Sequence, residues 1–154
     1  MDVASRFRLD GRTALVSGAG RGIGRACALA LAEVGAEVLL LSRTASELEQ
    51  AVSEIKGRGG KAEAIVCDVT DAQAVKKVFA GLTSLDVLVN NAGSNIPELF
   101  VEVSEEHLDR LLALNVRAAF IVAQAAARKM LASPNRYGRA VINMSSQMGH
   151  VGAV

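Results

Sequence analysis

Aromatic side chains are scarce in this chain. Only 3% of its 154 residues are aromatic and none is Trp, so we expect a core built from aliphatic side chains. The two cysteines, Cys27 and Cys67, lack the spacing of a metal or redox site. We interpret them as small apolar core residues in a reducing cytoplasm and predict no metal site.

Excess charge and long apolar runs are also missing. The net charge of +1 gives no reason to expect a nucleic-acid surface. No apolar run has the length of a transmembrane segment, and the first six residues lack the apolar stretch of a signal peptide. We therefore expect a soluble cytoplasmic protein in which residues 1–154 form one domain.

What the chain does have is a regular alternation of apolar runs and helical patterns. Strands are predicted over Thr13–Ser17, Glu37–Leu41, Ala62–Cys67, Asp86–Asn90 and Arg139–Met144. The early runs are continuously apolar, which is typical of strands covered on both faces. The alternation predicts an α/β fold, a doubly wound parallel sheet in the order 3-2-1-4-5. Ligands of such Rossmann-like sheets bind beyond the carboxyl ends of the strands.

Polar residues mark where several helices begin. Thr44-x-x-Glu47 and Thr70-x-x-Gln73 both have the spacing of a capping box. Ser104, followed by two acidic residues, predicts the start of a long helix that reaches about Leu131.

A glycine-rich turn follows the first predicted strand. Its pattern is Ser17-Gly18-x-x-x-Gly22-x-Gly24, and a helical pattern starts at once. Backbone N–H groups at a helix start favour an anion, and glycines let a phosphate approach the backbone closely. The alternative is a glycine turn that binds no ligand.

An arginine, Arg43, follows the second predicted strand, where an NAD-binding site would have an acidic residue. The second strand leads into Ser42-Arg43, and no carboxylate stands there to bind the adenosine ribose. Arg43, with Arg21 in the glycine turn, could instead bind a 2′-phosphate. The pair therefore favours NADP(H), with NAD(H) as the other possibility, unless both arginines are solvated surface charges.

The third and fourth strands end in further candidate residues. Asp68 could accept the adenine amino group and the Val69 backbone could contact the ring, or Asp68 could only cap its turn. Asn90-Asn91-Ala92-Gly93 follows the fourth strand. Its small residues would let the backbone pass close to a flat ligand, although a plain Asn-Gly turn is the alternative.

From Arg12 to the last residue, these motifs resemble those of the short-chain dehydrogenase/reductase family. The resemblance rests on the glycine pattern, with Ser17 in place of the family's Thr, and on N-N-A-G after a buried strand. It implies an oxidoreductase that moves a hydride between a nicotinamide and a carbonyl or secondary alcohol. The expected cofactor contacts are Ser17, Gly18, Arg21, Gly22, Ile23, Gly24, Ser42, Arg43, Asp68, Val69, Asn90, Ala92 and Gly93.

The resemblance also implies two catalytic positions. Asn115, a polar residue inside the long helix, would distort that helix and hold a water of a proton relay, unless it is a satisfied buried polar group. Ser146, chosen over Ser145 by its spacing to the following glycine, would hydrogen-bond the substrate oxygen. The substrate side would be lined by residues 94–100, Gln147 and Met148, with His107 and His150 as surface residues.

The family's catalytic Y-x-x-x-K pattern is missing. The single tyrosine, Tyr137, is followed four residues later by Val141. We expect the chain to be a piece of a longer reductase, inactive alone, that forms a homodimer or homotetramer through the alanine-rich long helix. The alternative is a non-catalytic dinucleotide-binding or scaffold module.

Overall fold

Aliphatic strands that alternate with helices set the architecture. The computed structural model describes residues 3–133 and 138–147. The strands are β1 (Thr13–Ser17), β2 (Glu37–Ser42), β3 (Lys61–Val66), β4 (Val87–Asn90) and β5 (Ala140–Asn143). The helices are α1 (Gly22–Glu33), α2 (Ala45–Gly57), α3 (Ala72–Gly81), α4 (Glu105–Leu112) and α5 (Ala119–Ala132).

The sheet has the predicted order and direction. Its order is β3-β2-β1-β4-β5 and every pairing is parallel. In the central register, Leu15 of β1 lies between Leu39 of β2 and Leu88 of β4. The prediction of a doubly wound parallel sheet is confirmed.

Side chains alternate between two cores, one on each face of the sheet. Ala14 and Val16 point to the face that α1 and α2 cover, where Leu48 and Ile55 of α2 are also buried. Leu15 points to the opposite face, covered by α3 and α5. Since successive residues of a strand face opposite sides, a continuous apolar run is what such a strand needs.

The long helical segment has a π-helical turn in its middle. α4 runs into a π-helical turn over Ala113–Ala118, and α5 continues from it. By length and composition alone, the segment Glu105–Ala132 could cross a membrane. One such helix is weak evidence of a membrane span, and Val122, Ala126 and Met130 of α5 are buried on the α3 side of the sheet.

Two helix starts differ from the predicted capping boxes. The Thr44 side chain makes no capping hydrogen bond at the start of α2. At α3 the cap is Asp71, not Thr70: the Asp71 carboxylate accepts hydrogen bonds from the N–H groups of Gln73 and Ala74 at 2.8 and 3.0 Å. Ser104 caps α4 as predicted, because its hydroxyl accepts from the His107 N–H at 3.2 Å.

Candidate functional site

The carboxyl ends of the strands open into one long cleft of about 930 Å³. Most of the predicted cofactor-binding and catalytic residues line it, and of these only Ser17 and Gly22 lie outside the lining. Of the predicted substrate side, Ser94 and Asn95 line the cleft, whereas residues 96–100 and Gln147 do not. Those that line it are Gly18, Arg21, Ile23, Gly24, Ser42, Arg43, Asp68, Val69, Asn90, Ala92, Gly93, Asn115 and Ser146. Residues far apart in the chain thus meet in one place, as the switch point of a doubly wound sheet requires.

The glycine turn is shaped by a close approach between β1 and α1. Gly18 has a φ of +67°, a conformation that favours glycine. A Cβ on Gly24 would collide with the Gly18 carbonyl oxygen and with the Asn91 side chain. The start of α1 therefore lies directly against the end of β1.

The first turn of α1 lies at the cleft. Arg21 precedes the helix in an extended conformation, with a φ of −150°, and its side chain makes no capping hydrogen bond. The first N–H groups of a helix lack intrahelical acceptors and carry the positive end of the helix dipole. This end of the cleft suits a phosphate group.

Ser17 and Asn91 fasten the glycine turn to the segment after β4. The buried Ser17 hydroxyl accepts hydrogen bonds from the N–H groups of Asn91 and Ala92, both at 3.0 Å. Asn91 in return donates from its side-chain amide to the Ser17 carbonyl at 3.0 Å. Ser17 therefore positions the backbone of Asn91 and Ala92 beside the cleft. Its own side chain is buried and does not line the cleft.

Asn90 also connects neighbouring elements of the fold by hydrogen bonds. Its amide nitrogen donates to the Ala119 carbonyl at 2.8 Å and to Asn143 Oδ1 at 3.1 Å. These bonds tie β4 to β5 and to α5. Its predicted contact with a cofactor stays a prediction, and only part of this 6% exposed residue faces the cleft.

Asp68 does cap its turn, as the alternative interpretation held. Its Oδ1 accepts from the N–H and the hydroxyl of Thr70 at 2.9 and 2.8 Å. Burial opposes ionisation of Asp68, but these two hydrogen bonds and the nearby Arg43 outweigh it and hold the pKa below its ordinary value. The neighbouring Cys67 is buried, which raises the pKa of its thiol, and the charges of Asp68 and Asp71 add to the effect.

Arg43 is held only loosely. Its Nη1 lies 3.8 Å from Asp68 Oδ2, and its side chain is 66% exposed. An ion pair this long and this exposed contributes little. Arg43 is therefore free to turn toward a bound anion, and Arg21, on the glycine turn, is also exposed.

Asn115 lies in the π-turn and holds the segment that follows β4. Its Oδ1 accepts from the Ser94 N–H at 3.0 Å, and its Nδ2 donates to the Ser94 carbonyl at 2.8 Å. The predicted local distortion of the helix is present. π-Turns of this kind occur often at functional sites.

The far end of the cleft is built from the residues after β5 and from the loop after β4. Ser145, Ser146, Ser94 and Asn95 line this end. His107, predicted as a surface residue, pairs through Nδ1 with Glu98 Oε1 at 2.6 Å. Tyr137, Met148 and His150 lie outside the described residues.

Several lining residues were not predicted from the sequence. Gly20, Glu47, Asn91 and Asn143 all line the cleft. Asn91 stands inside the N-N-A-G motif and could have been found there. Glu47 could not, because its spacing from Thr44 indicated a capping role. Among the described residues, no cluster of three or more His, Cys, Asp or Glu could hold a metal ion.

The chain matches known proteins over most of its length. Residues 12–154 match the family model described as short chain dehydrogenase. The chain is 40% identical to L-xylulose reductase from Mesocricetus auratus over 141 residues, which are 90% of this chain and 54% of that protein. It spans about half the length of the curated relatives it matches.

Solved structures also match nearly the whole of this chain and about three fifths of their own. A crystal structure of a short-chain type dehydrogenase/reductase from Mycobacterium marinum has a TM-score of 0.93 and 37% identity, covering 100% of this chain and 63% of that one. A structure from Beutenbergia cavernae, assigned as an NAD(P)-dependent gluconate 5-dehydrogenase, holds NADP at low occupancy. It has a TM-score of 0.87 and 37% identity, covering 96% of this chain and 59% of that one.

Proposed function

The chain belongs to the short-chain dehydrogenase family, and on that premise we propose that the complete protein is an NADP(H)-dependent oxidoreductase. Its substrates would be small carbonyl compounds and the matching secondary alcohols. The observation that supports this most is one cleft joining the glycine turn and Arg43 at one end to Asn115 and Ser146 at the other. Binding and chemistry would then share a single continuous site.

The residues of the cleft fit a dinucleotide. Side chains at Gly18 or Gly24 would collide with the segment after β4 and, at Gly24, with the Gly18 carbonyl oxygen, so glycine at both positions keeps this turn compact beside the cleft. The N–H groups of α1 would hold the pyrophosphate, and Arg43 with Arg21 would hold the 2′-phosphate. The bound dinucleotide would supply or accept the hydride.

The chain's own residues would position the substrate. Ser146 would donate a hydrogen bond to the substrate oxygen, which polarises a carbonyl. Asn115 would keep the Gly93–Ser94 backbone in place beside it through its two bonds to Ser94. The tyrosine of this chain, Tyr137, is not in a Y-x-x-x-K pattern, so we assign no proton donor among these residues.

We further propose polyhydroxylated substrates such as sugars, sugar acids and polyols. One relative carries the name L-xylulose reductase, and one similar structure is assigned as a gluconate 5-dehydrogenase. Oxidation of NADPH by the complete protein should be measured with ketoses, keto-sugar acids and simple ketones. The proposal fails if no carbonyl compound in such a panel supports turnover.

Arg43→Ala should remove most of the preference for NADP(H). A hydrogen bond to a charged group contributes about 1.5–3 kcal/mol, and exposure places Arg43 near the low end, about tenfold in affinity. The complete protein should therefore bind NADPH at least about tenfold more tightly than NADH at low salt. Ser42→Asp should reverse this preference, because a carboxylate there repels the 2′-phosphate. The measurement is a fluorescence titration with each dinucleotide.

The control is Arg58→Ala, which removes an exposed arginine at the far end of α2 that pairs with Glu33 and Glu54. It should leave the NADPH:NADH ratio unchanged. If wild-type protein binds both dinucleotides equally, and Arg43→Ala changes neither, Arg43 is a surface charge and the assignment of NADP(H) is wrong.

We also propose that the complete protein is a homodimer or homotetramer that pairs through α4 and α5. Leu108, Leu112, Val116 and Phe120 are between 48% and 65% exposed along this segment. An exposed apolar stripe of this kind is typical of an interface. Light scattering at micromolar concentration should give an oligomeric mass, and Phe120→Glu should lower it. A monomeric wild-type mass would contradict the proposal.

A further inference from the structure

Glu47 lies against the glycine turn instead of capping its own helix. It stands in the first turn of α2 and lines the cleft. A Cβ built on Gly20 would lie 2.7 Å from Glu47 Oε2 and 3.2 Å from Ser42 Oγ. The carboxylate and the hydroxyl thus converge over Gly20, where the glycine turn passes the end of β2.

The Glu47 carboxylate has no protein partner in the part of the chain that the structure describes. The Thr44 N–H, which a capping box would direct to Glu47, donates to Ser42 Oγ at 3.3 Å. The nearby Arg43 approaches Asp68. Glu47 is half-buried, and a half-buried carboxylate is best stabilised by donors that it can accept from. A ligand in the cleft can provide them.

We propose, on the basis of the dinucleotide site inferred above, that Glu47 is a second determinant of cofactor choice. Its carboxylate accepts a hydrogen bond from the adenosine ribose hydroxyls of NAD(H), a charge-assisted bond. The same charge repels the 2′-phosphate of NADP(H). The acid that is missing from the end of β2 is thus supplied from α2.

The consequence is a site with two opposed charges. Arg43, on one side of Ser42, attracts the 2′-phosphate, whereas Glu47 opposes it and favours the unphosphorylated ribose. The measured NADPH:NADH ratio is then the difference between the two effects. Glu47 accounts for binding of NAD(H), and Arg43 for the preference for NADP(H).

Glu47→Gln in the complete protein tests this assignment, because glutamine keeps the size of the side chain and removes its charge. NADPH should bind about twofold to fivefold more tightly, the range expected when one exposed charge repulsion is relieved. NADH should bind about threefold to tenfold more weakly, because a neutral acceptor forms a weaker bond. Titration with each dinucleotide, together with thermal unfolding, gives the ratio and the stability of each variant.

Glu49→Gln is the matched control: it makes the same charge change in the same helix, at an exposed position outside the cleft lining. It should leave the ratio unchanged. If Glu47→Gln lowers the melting temperature and weakens both dinucleotides equally, Glu47 only supports the turn and the inference is wrong. If Glu47→Gln leaves the NADPH:NADH ratio unchanged while Arg43→Ala still shifts that ratio, the inference about Glu47 fails and the proposed function stands. If wild-type protein binds neither dinucleotide, the proposed function itself fails.

Discussion

If the complete protein is the reductase proposed above, replacement of Ser146 by alanine should lower its kcat by about 10²–10³-fold, the loss typical when one donor to a reacting oxygen is removed. Ser146 lines the cleft just after β5, at the end that also contains Asn115 and Ser94. Its hydroxyl is proposed to bind the substrate oxygen more strongly as charge develops there. The effect should therefore fall on kcat, with little change in the Kd of NADPH. Steady-state kinetics and a separate titration measure the two quantities.

Ser145→Ala is the control for this experiment. Ser145 is the preceding residue and lines the same cleft, so its replacement makes the same chemical change one position away. It should lower kcat by much less than Ser146→Ala. If Ser145→Ala causes the large loss and Ser146→Ala does not, the catalytic serine is misassigned.

Gly24→Ala should destabilise the protein by about 3 kcal/mol, the upper end of the cost of overpacking. The added Cβ would overlap the Gly18 carbonyl oxygen, which is backbone and cannot rotate away, and the Asn91 amide. Either β1 and α1 move apart or Asn91 gives up its bonds to Ser17 and Gly18. Both changes distort the glycine turn, where the phosphates are proposed to bind, so affinity for NADPH should fall by more than about tenfold. Denaturant unfolding and a titration with NADPH test the two effects.

Gly81→Ala provides the comparison. Gly81 is the last residue of α3, and a Cβ there meets no heavy atom within 4 Å. Alanine is the better helix former, so this variant should be neutral or slightly more stable. Equal stability of Gly24→Ala and wild type would mean that the close approach of α1 to β1 does not constrain this position.

The sheet could be predicted from the sequence because each strand carries its own signal. Leu15 and Val16 belong to opposite cores, and a strand buried on both faces must be apolar throughout. Predicted and observed strand bounds agree at β1 and differ elsewhere by at most one residue at each end, as at β3, predicted over Ala62–Cys67 and found over Lys61–Val66. Positions of most cleft residues followed from the same reasoning, because parallel strands all end at one edge.

What could not be predicted depends on contacts between distant residues. Glu47 has the spacing of a capping residue, and only the path of the glycine turn brings Gly20 beside it. Thr70 and Asp71 are adjacent and both residue types can cap a helix, so the sequence alone does not show which one caps α3. In the structure it is Asp71. Ser17 matched the glycine pattern, yet its buried hydroxyl bonds to Asn91 and Ala92, 74 and 75 positions away.

The π-turn between α4 and α5 limits which insertions and deletions this gene can tolerate. Such a turn accommodates one more residue than a regular α-helix over the same span. Loss of a single codon within 113–118 would restore a regular α-helix and keep the relative orientation of α4 and α5, but the turn would be lost and the Asn115 position would leave Ser94. The same loss elsewhere in the segment would rotate α4 by about 100° relative to α5, one residue's share of a turn, because α5 is packed on the sheet. Length variation in this protein should therefore accumulate in the loop before Ser104 and not in the helix after it.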